Sequence, residues 1–271
     1  MIRFSIITCT YNAAKEVGRT LDSVLAQTYH HVEHLVIDGA SKDATMQLVR
    51  DYQKESEEAD NDHELVVVSE PDSGLYDAMN KGIGLATGDY LVFLNAGDVF
   101  PSADTLELVA GAVGDGEALP GVLYGDTDIV DDTGRFLRHR RLQPPAEGLS
   151  WRSFRHGMLV CHQAFYARAD LAKRNLYDLS YRYSADVDWC IRVMKDAEGE
   201  SSKPQEPSSA PAPLSTKYVG MVVVNYLDGG LTTKNHRRSL RERFQVMRHH
   251  YGLPVTLWMH FTFLFRALLK K

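Results

Sequence analysis

Cysteine is scarce: the 271 residues contain three, Cys9, Cys161 and Cys190, far apart and with no C-x-x-C pair. That spacing argues against a zinc ribbon or a disulfide framework and fits a reducing compartment. Basic charge is in deficit, with 30 Lys and Arg against 36 Asp and Glu and a formal net charge of −6. A general nucleic-acid binder needs a basic footprint, so nucleic acid is not an expected partner. No G-x-G-x-x-G follows the first strand-like run, where Thr10-Tyr11-Asn12 stands instead, and this disfavours a Rossmann oxidoreductase. The opening residues show no charged segment leading into an apolar stretch, so the active part is expected to remain in the cytosol. Long apolar runs are missing too. Pro254 to Leu269 is short for a membrane span and is interrupted by His260 and Arg266. There is no internal repeat.

What is present is an ordinary globular composition, 44% hydrophobic and 24% charged, in a chain long enough for one large α/β domain or two small ones. Phe4 to Cys9, Val32 to Ile37, Leu65 to Val68 and Tyr90 to Leu94 are apolar runs of the length of buried strands. Helical spacing separates them at Val17 to Ala26, Thr45 to Tyr52 and Gly74 to Leu85. Strand and helix alternating at this pace predict a mostly parallel sheet with helices on both faces, whose ligands sit at the carboxyl ends of the strands. Polar clusters fall at those ends: Thr10 to Asn12, Asp38 to Asp43 and Asn95 to Asp98. After Asp98 the pattern loosens. Val122 to Tyr124, Phe136 to Arg140 and Tyr218 to Val224 read as strands, and a turn is expected at Asp131 to Gly134. Residues 198–215, rich in Pro, Ser, Glu and Lys, read as a mobile surface insertion. Arg237, Arg238, Arg241, Arg243 and Arg248 form a basic stretch that suits phosphates, an anionic membrane surface or merely water. The aromatic segment that follows reads as a helix in a bilayer interface, a helix packed on the domain or a dimer contact.

Several clusters can carry chemistry, each beside a plainer alternative. Asp38 at a strand end can accept the N3–H of a uracil, while Ser41 and Asp43 suit a helix start equally well. Asp77, Asn80 and Lys81 share one helical turn; they suit a diphosphate or ribose, or an i,i+4 ion pair. The apolar strand Leu91 to Leu94 delivers Asn95, Ala96 and Asp98 to its carboxyl end. Mg²⁺ and Mn²⁺ prefer oxygen ligands, commonly one or two carboxylates plus substrate phosphates, so Asp98 is the metal candidate; an Asn/Asp turn is the alternative. Asp186 or Asp188, in Tyr183-Ser184-Ala185-Asp186-Val187-Asp188-Trp189, can take a proton from an acceptor hydroxyl, and both positions also favour a helix N-terminus. His162-Gln163 can bond an acceptor or phosphate, or simply be satisfied in the core.

Taken in order, these segments resemble the family 2 glycosyltransferases, which have the GT-A fold. The series is Ser5 to Asn12, Asp38-Gly39-Ala40-Ser41-Lys42-Asp43-Ala44-Thr45, Ser73-Gly74-Leu75-Tyr76-Asp77-Ala78-Met79-Asn80-Lys81-Gly82, and Gly88 to Asp98. It covers about residues 3–100 and reaches Trp189 more loosely, nearest to the bacterial capsule and exopolysaccharide branch. The resemblance implies an inverting hexosyltransferase-like enzyme. Its donor would be a nucleotide-sugar, usually of uridine diphosphate, held by Thr10, Tyr11, Asn12, Asp38, Ser41, Asp43, Asp77, Asn80, Lys81, Asn95 and Ala96. Asp98 would bind Mn²⁺ or Mg²⁺, although Asn95-Ala96-Gly97-Asp98 departs from a full D-x-D. Asp186 would be the base by motif alignment, with His162, Gln163 and Asp188 toward the acceptor or phosphate. The implied organisation is a nucleotide-sugar half at 1–100, an acceptor half at 101–235, and a basic, amphipathic helical extension at 236–271. The acceptor would be a saccharide or a polyprenyl-diphosphate-linked saccharide, reached from the inner face of the cytoplasmic membrane. A non-catalytic nucleotide-sugar-binding subunit is the alternative.

Overall fold

The structure, a computed structural model, describes residues 1–59, 61–114, 118–145, 148–200, 213–229 and 235–269. Strands β1 (Phe4–Thr10) and β2 (Val32–Asp38) are buried at every position. Their side chains alternate between two packed layers: Leu35 and Ile37 join the main core, while Val36 packs with Val17, Leu21, Val49 and Tyr52 on the other face. That second face is covered by helices α1 (Val17–Leu25) and α2 (Thr45–Glu58). Helix α3 (Leu75–Leu85) covers the first, with Tyr76, Ala78, Met79 and Ile83 buried. Strands covered on both faces read as continuous apolar runs.

Strands β3 (Glu64–Ser69), β2, β1 and β4 (Tyr90–Phe93) lie side by side, all parallel, in the order β3-β2-β1-β4. The sheet then turns mixed. Strand β7 (Phe165–Arg168) runs antiparallel to β4 and to β5 (Val122–Val130). Strand β6 (Phe136–His139) runs antiparallel to the end of β5, and β8 (Thr216–Leu227) runs parallel along it. Helix α4 (Thr105–Val113) follows β4, and α5 (Ala169–Arg174) and α6 (Ala185–Ala197) follow β7.

Two strands outrun their expected lengths. Val122 to Tyr124 extends to Val130 and Tyr218 to Val224 to Thr216–Leu227, because each supplies the other's backbone partners. The proposed insertion at 198–215 lies mostly outside the described residues. Its described ends are anchored: Trp151 N donates to Glu198 Oε1 at 2.8 Å and Leu214 N to Ala197 O at 2.7 Å. Helix α7 (His236–Leu269) is two helices joined at Gly252, whose φ of 77° suits glycine. Its first half docks on α6. Glu242 accepts the N–H groups of Arg182 and Tyr183 at 3.0 and 2.7 Å, and His250 Nε2 meets Asp188 Oδ1 at 2.7 Å.

Candidate active site

The carboxyl ends of β1, β2 and β3 are level, with Thr10 beside Asp38 and Asp38 beside Ser69. Asp38 is 1% exposed, and its carboxylate accepts Thr10 Oγ1 (2.9 Å), Ser41 N (2.9 Å), Ser41 Oγ (2.5 Å) and Ser69 Oγ (2.7 Å). Burial pushes its pKa up, but these hydrogen bonds outweigh it and hold the carboxyl below its ordinary value. Four acceptor positions are thus filled from within, which leaves none for the N3–H of a base; Asp38 braces the loop. Asn12, at φ 50°, accepts Lys42 N while its own N–H donates to Ser41 Oγ. Asp43 accepts Ala14 N and the Thr45 hydroxyl, which with its other bonds holds its pKa down. The result is a stiff pair of loops carrying one free aromatic, Tyr11, 63% exposed.

Beside that ring stands a residue the sequence reading passed over. A Cβ on Gly39 would lie 2.5 Å from Asp72 Oδ2 and 3.3 Å from the Tyr11 ring, so a larger residue here would displace the Asp72 carboxylate. Asp72 directly follows β3, and the strand-end rule applied to the third strand finds it.

Helix α3 splits the predicted cluster. Leu75, Tyr76 and Met79 face a cavity, whereas Asp77, Asn80 and Lys81 bond elsewhere. Asp77 accepts Ser73 N and Oγ, Asn80 pairs with the Tyr177 backbone in both directions, and Lys81 meets Glu70 at 2.9 Å. These are helix-start and packing contacts, made by side chains that do not line the cavity.

Asp98 is also redirected. After β4 the chain turns at Gly97 (φ 102°), where Asp98 N donates to Asn95 O. The carboxylate points inward, 3% exposed, and accepts Gln163 Nε2 at 2.8 Å and Leu227 N at 2.9 Å. Burial pushes its pKa up to about 7 against the pull of those two bonds. It does not line the cavity; Asn95 does, with an Oδ1 that is shut from water and unpartnered among the described residues. Ala96 packs toward the α1–α2 layer. Asp98 is thus turned away from the cavity, and Asn95 is the polar residue of this turn that lines it. Among the described residues no three His, Cys, Asp or Glu gather to hold a metal ion. One neutral amide oxygen fits a cation that arrives with a donor's phosphates and does not fit one bound by the protein alone.

The cavity, about 250 Å³, lies between α3, the end of β4, β5, β8 and the starts of α6 and α7. Among the described residues Asp186 is the only carboxylate lining it, and Tyr76 donates its hydroxyl to Asp186 Oδ1 at 3.3 Å. Arg140, Arg243, Tyr183 and Tyr226 share the lining. His162 does as well, its Nε2 bonded to Tyr177 and its ring stacked on Phe93 at 4.8 Å. Burial lowers its pKa to about 4, so it is neutral at neutral pH. Gln163, which also reaches the cavity, is used at both ends, donating to Asp98 and accepting the Cys161 thiol at 2.9 Å. Asp188 stands apart, held by Arg192 and His250 at 2.7 Å each. It ties α6 to α7, which separates it from Asp186 in role.

A parallel β3-β2-β1-β4 core, flanked by a mixed sheet and a cavity at the strand ends, is the architecture of a GT-A glycosyltransferase. The chain belongs to glycosyl transferase family 2, whose model matches residues 5–174. It is 35% identical over 231 residues to the PGL/p-HBAD biosynthesis glycosyltransferase of Mycobacterium tuberculosis, covering 84% of this chain and 78% of that one. The amylovoran biosynthesis glycosyltransferase AmsB of Erwinia amylovora is 30% identical over 205 residues, 72% of this chain and 64% of its own. Among solved structures, S. aureus TarS 1–349 with UDP-GlcNAc superposes with a TM-score of 0.66 at 17% identity, covering 91% of this chain and 65% of TarS. The chain therefore spans slightly under two thirds of that TarS fragment. The mannosyltransferase PcManGT of Pyrobaculum calidifontis, solved with GDP-Man and Mn²⁺, gives 0.61 at 18% identity, covering 96% and 68%. At such identities the structures show the shared fold.

Proposed function

We propose that this glycosyltransferase moves a sugar from a uridine-diphosphate donor, with inversion, to a hydroxyl of a saccharide acceptor used in cell-surface polysaccharide synthesis. One observation carries the reading: among the described residues, Asp186 is the sole carboxylate lining a cavity at the carboxyl end of β4. The uracil stacks on Tyr11, with Asp72 as acceptor for its N3–H. Thr10, Asn12, Asp38, Ser41 and Asp43 keep that platform rigid. At the reacting end, Asp186 takes the proton of the acceptor hydroxyl as its oxygen attacks the anomeric carbon. The bond from that carbon to the diphosphate breaks, and uridine diphosphate leaves with the bonding pair. Tyr76 orients the Asp186 carboxylate through its hydroxyl. Asn95, the residue of the β4 turn that lines the cavity, would hold a divalent cation together with the donor's phosphates, and the cation when bound would supply positive charge to the leaving group.

A screen of nucleotide-sugars, read as released nucleoside diphosphate, tests the reading. Turnover with uridine donors is the expected result. Tight donor binding with neither transfer nor hydrolysis would instead mark a binding subunit.

The acceptor side includes a membrane surface in this proposal. Beyond Gly252 the helix exposes Leu257, Trp258 (65% exposed), Phe261 and Phe265, with stacked rings at 6.1 and 6.5 Å. No helix among the described residues is long and apolar enough to cross a membrane, and an exposed aromatic stripe of this kind suits a helix lying in an interface. Removing residues 254–271 is expected to abolish sedimentation with anionic vesicles; unchanged sedimentation rejects this role.

A further inference from the structure

The cavity wall carries a charge imbalance that the transfer chemistry leaves unused. Arg140 and Arg243 both line it, and among the described residues Asp186 is the only carboxylate that lines it with them. Arg140 is largely buried, and its guanidinium donates to neutral carbonyls alone: Leu142 O at 2.9 Å, Leu159 O at 3.0 Å and Met158 O. Burial lowers its pKa, and the charge of nearby Arg243 adds to that effect. Arg243 has its Nε closed off from water and unpartnered among the described residues. Neither arginine forms an ion pair with a described carboxylate. Two guanidinium groups facing one carboxylate in a confined, partly dry space are costly unless an anion joins them.

We propose that Arg140 and Arg243 form a diphosphate-binding pair, so that the last helix closes the donor site by delivering Arg243 to the leaving group. The assignment rests on the donor reading above and extends it. A guanidinium offers planar, paired N–H donors that match phosphate oxygens, and it keeps its charge when buried. Asn95 lines the same wall, its Oδ1 unpartnered among the described residues. The placement of Arg243 is built in. Glu242 is fixed by the Arg182 and Tyr183 backbones, and the Ser239 hydroxyl lies 3.2 Å from Ser184 Oγ, two residues before Asp186. The helix that supplies the cation is thus tied to the helix that supplies the base. Arg237, Arg238, Arg241 and Arg248 on the same helix are exposed and take no part.

Calorimetric binding of UDP and of uridine to the full chain, with EDTA present, tests the pair. Wild type should bind UDP at least tenfold more tightly than uridine, and salt should weaken only UDP. Arg243→Gln should weaken UDP by roughly ten- to hundredfold, the range of a charge-assisted contact, with uridine unchanged. Unchanged uridine affinity also shows that the variant is folded, and Arg243→Lys should recover part of the loss. Equal affinity of wild type for UDP and uridine, or an Arg243→Gln variant with normal UDP affinity, overturns the assignment. Farnesyl diphosphate serves as the probe for an acceptor's diphosphate. A variant that loses only this ligand moves the pair to the acceptor and likewise overturns the proposal. If wild type binds neither UDP nor uridine, nor GDP nor guanosine, the donor reading itself fails, a result distinct from loss at Arg243.

Discussion

The two walls of the site spend their polar groups differently. On the front wall, Asp38, Ser41, Asp43, Asp77 and Asn80 bond to one another or to nearby backbone. On the back wall, Asp186, Arg140 and Arg243 line the cavity, and neither arginine is ion-paired to a described carboxylate. The polar motif residues at the ends of β1 and β2 thus bond largely among themselves, whereas Asp186 and the two arginines come from later segments. A motif residue at a strand end is a candidate ligand only while its hydrogen-bonding capacity is unspent.

Four substitutions or conditions probe this contrast. The largest effect is expected from Asp186→Asn, which should lower transfer by about 10²–10⁴-fold while leaving donor binding intact. Retention of wild-type transfer removes Asp186 from the base role. Next is Asp38→Ala, which should cost about 3 kcal/mol in denaturant unfolding, because four hydrogen bonds to a buried carboxylate are lost together. Normal stability with lost donor binding would reverse the contrast and make Asp38 a ligand. Tyr11→Ala, on the exposed platform, should raise the donor KM about tenfold at unchanged kcat, as loss of base stacking does. The smallest effect concerns the α6–α7 joint. Burial holds the His250 pKa down despite Asp188, and the unfolded chain therefore takes up the proton first. Stability should fall as pH drops below about 6.5. The Asp188 pKa is also low, so its contribution is lost only at more acid pH. Thermal melts between pH 8 and 5 should show the decline, and His250→Gln should flatten it.

Much of the front half was legible because its strands are buried on both faces. Continuous runs such as Phe4 to Cys9 announce themselves, and helix spacing between them is regular. The second half hides its strands. Gly125-Asp126-Thr127-Asp128 lies beyond the strand expected at Val122 to Tyr124, yet it is the middle of β5, paired with β8. Asp98 shows a different limit. Its position at the end of β4 follows from the sequence, but the direction of its side chain depends on the turn at Gly97 and on two partners, Gln163 and Leu227, far along the chain. Arg243 is opaque for a related reason. Within a run of exposed arginines nothing local distinguishes the one that long-range packing carries into a cavity. Asp186 was found through motif resemblance, and its separation from Asp188 needed the contacts of His250.

Asp98 has a practical consequence for exchanging parts between relatives. It sits where three distant stretches of chain converge: Thr20 of α1 donates to its carbonyl at 2.8 Å, and Gln163 and Leu227 hold its carboxylate. A chimera that takes its donor half from one protein and its acceptor half from another has its seam here. Grafts should carry residues 98, 163 and 227 as a unit, since a mismatched crossover strands a buried carboxyl at the join.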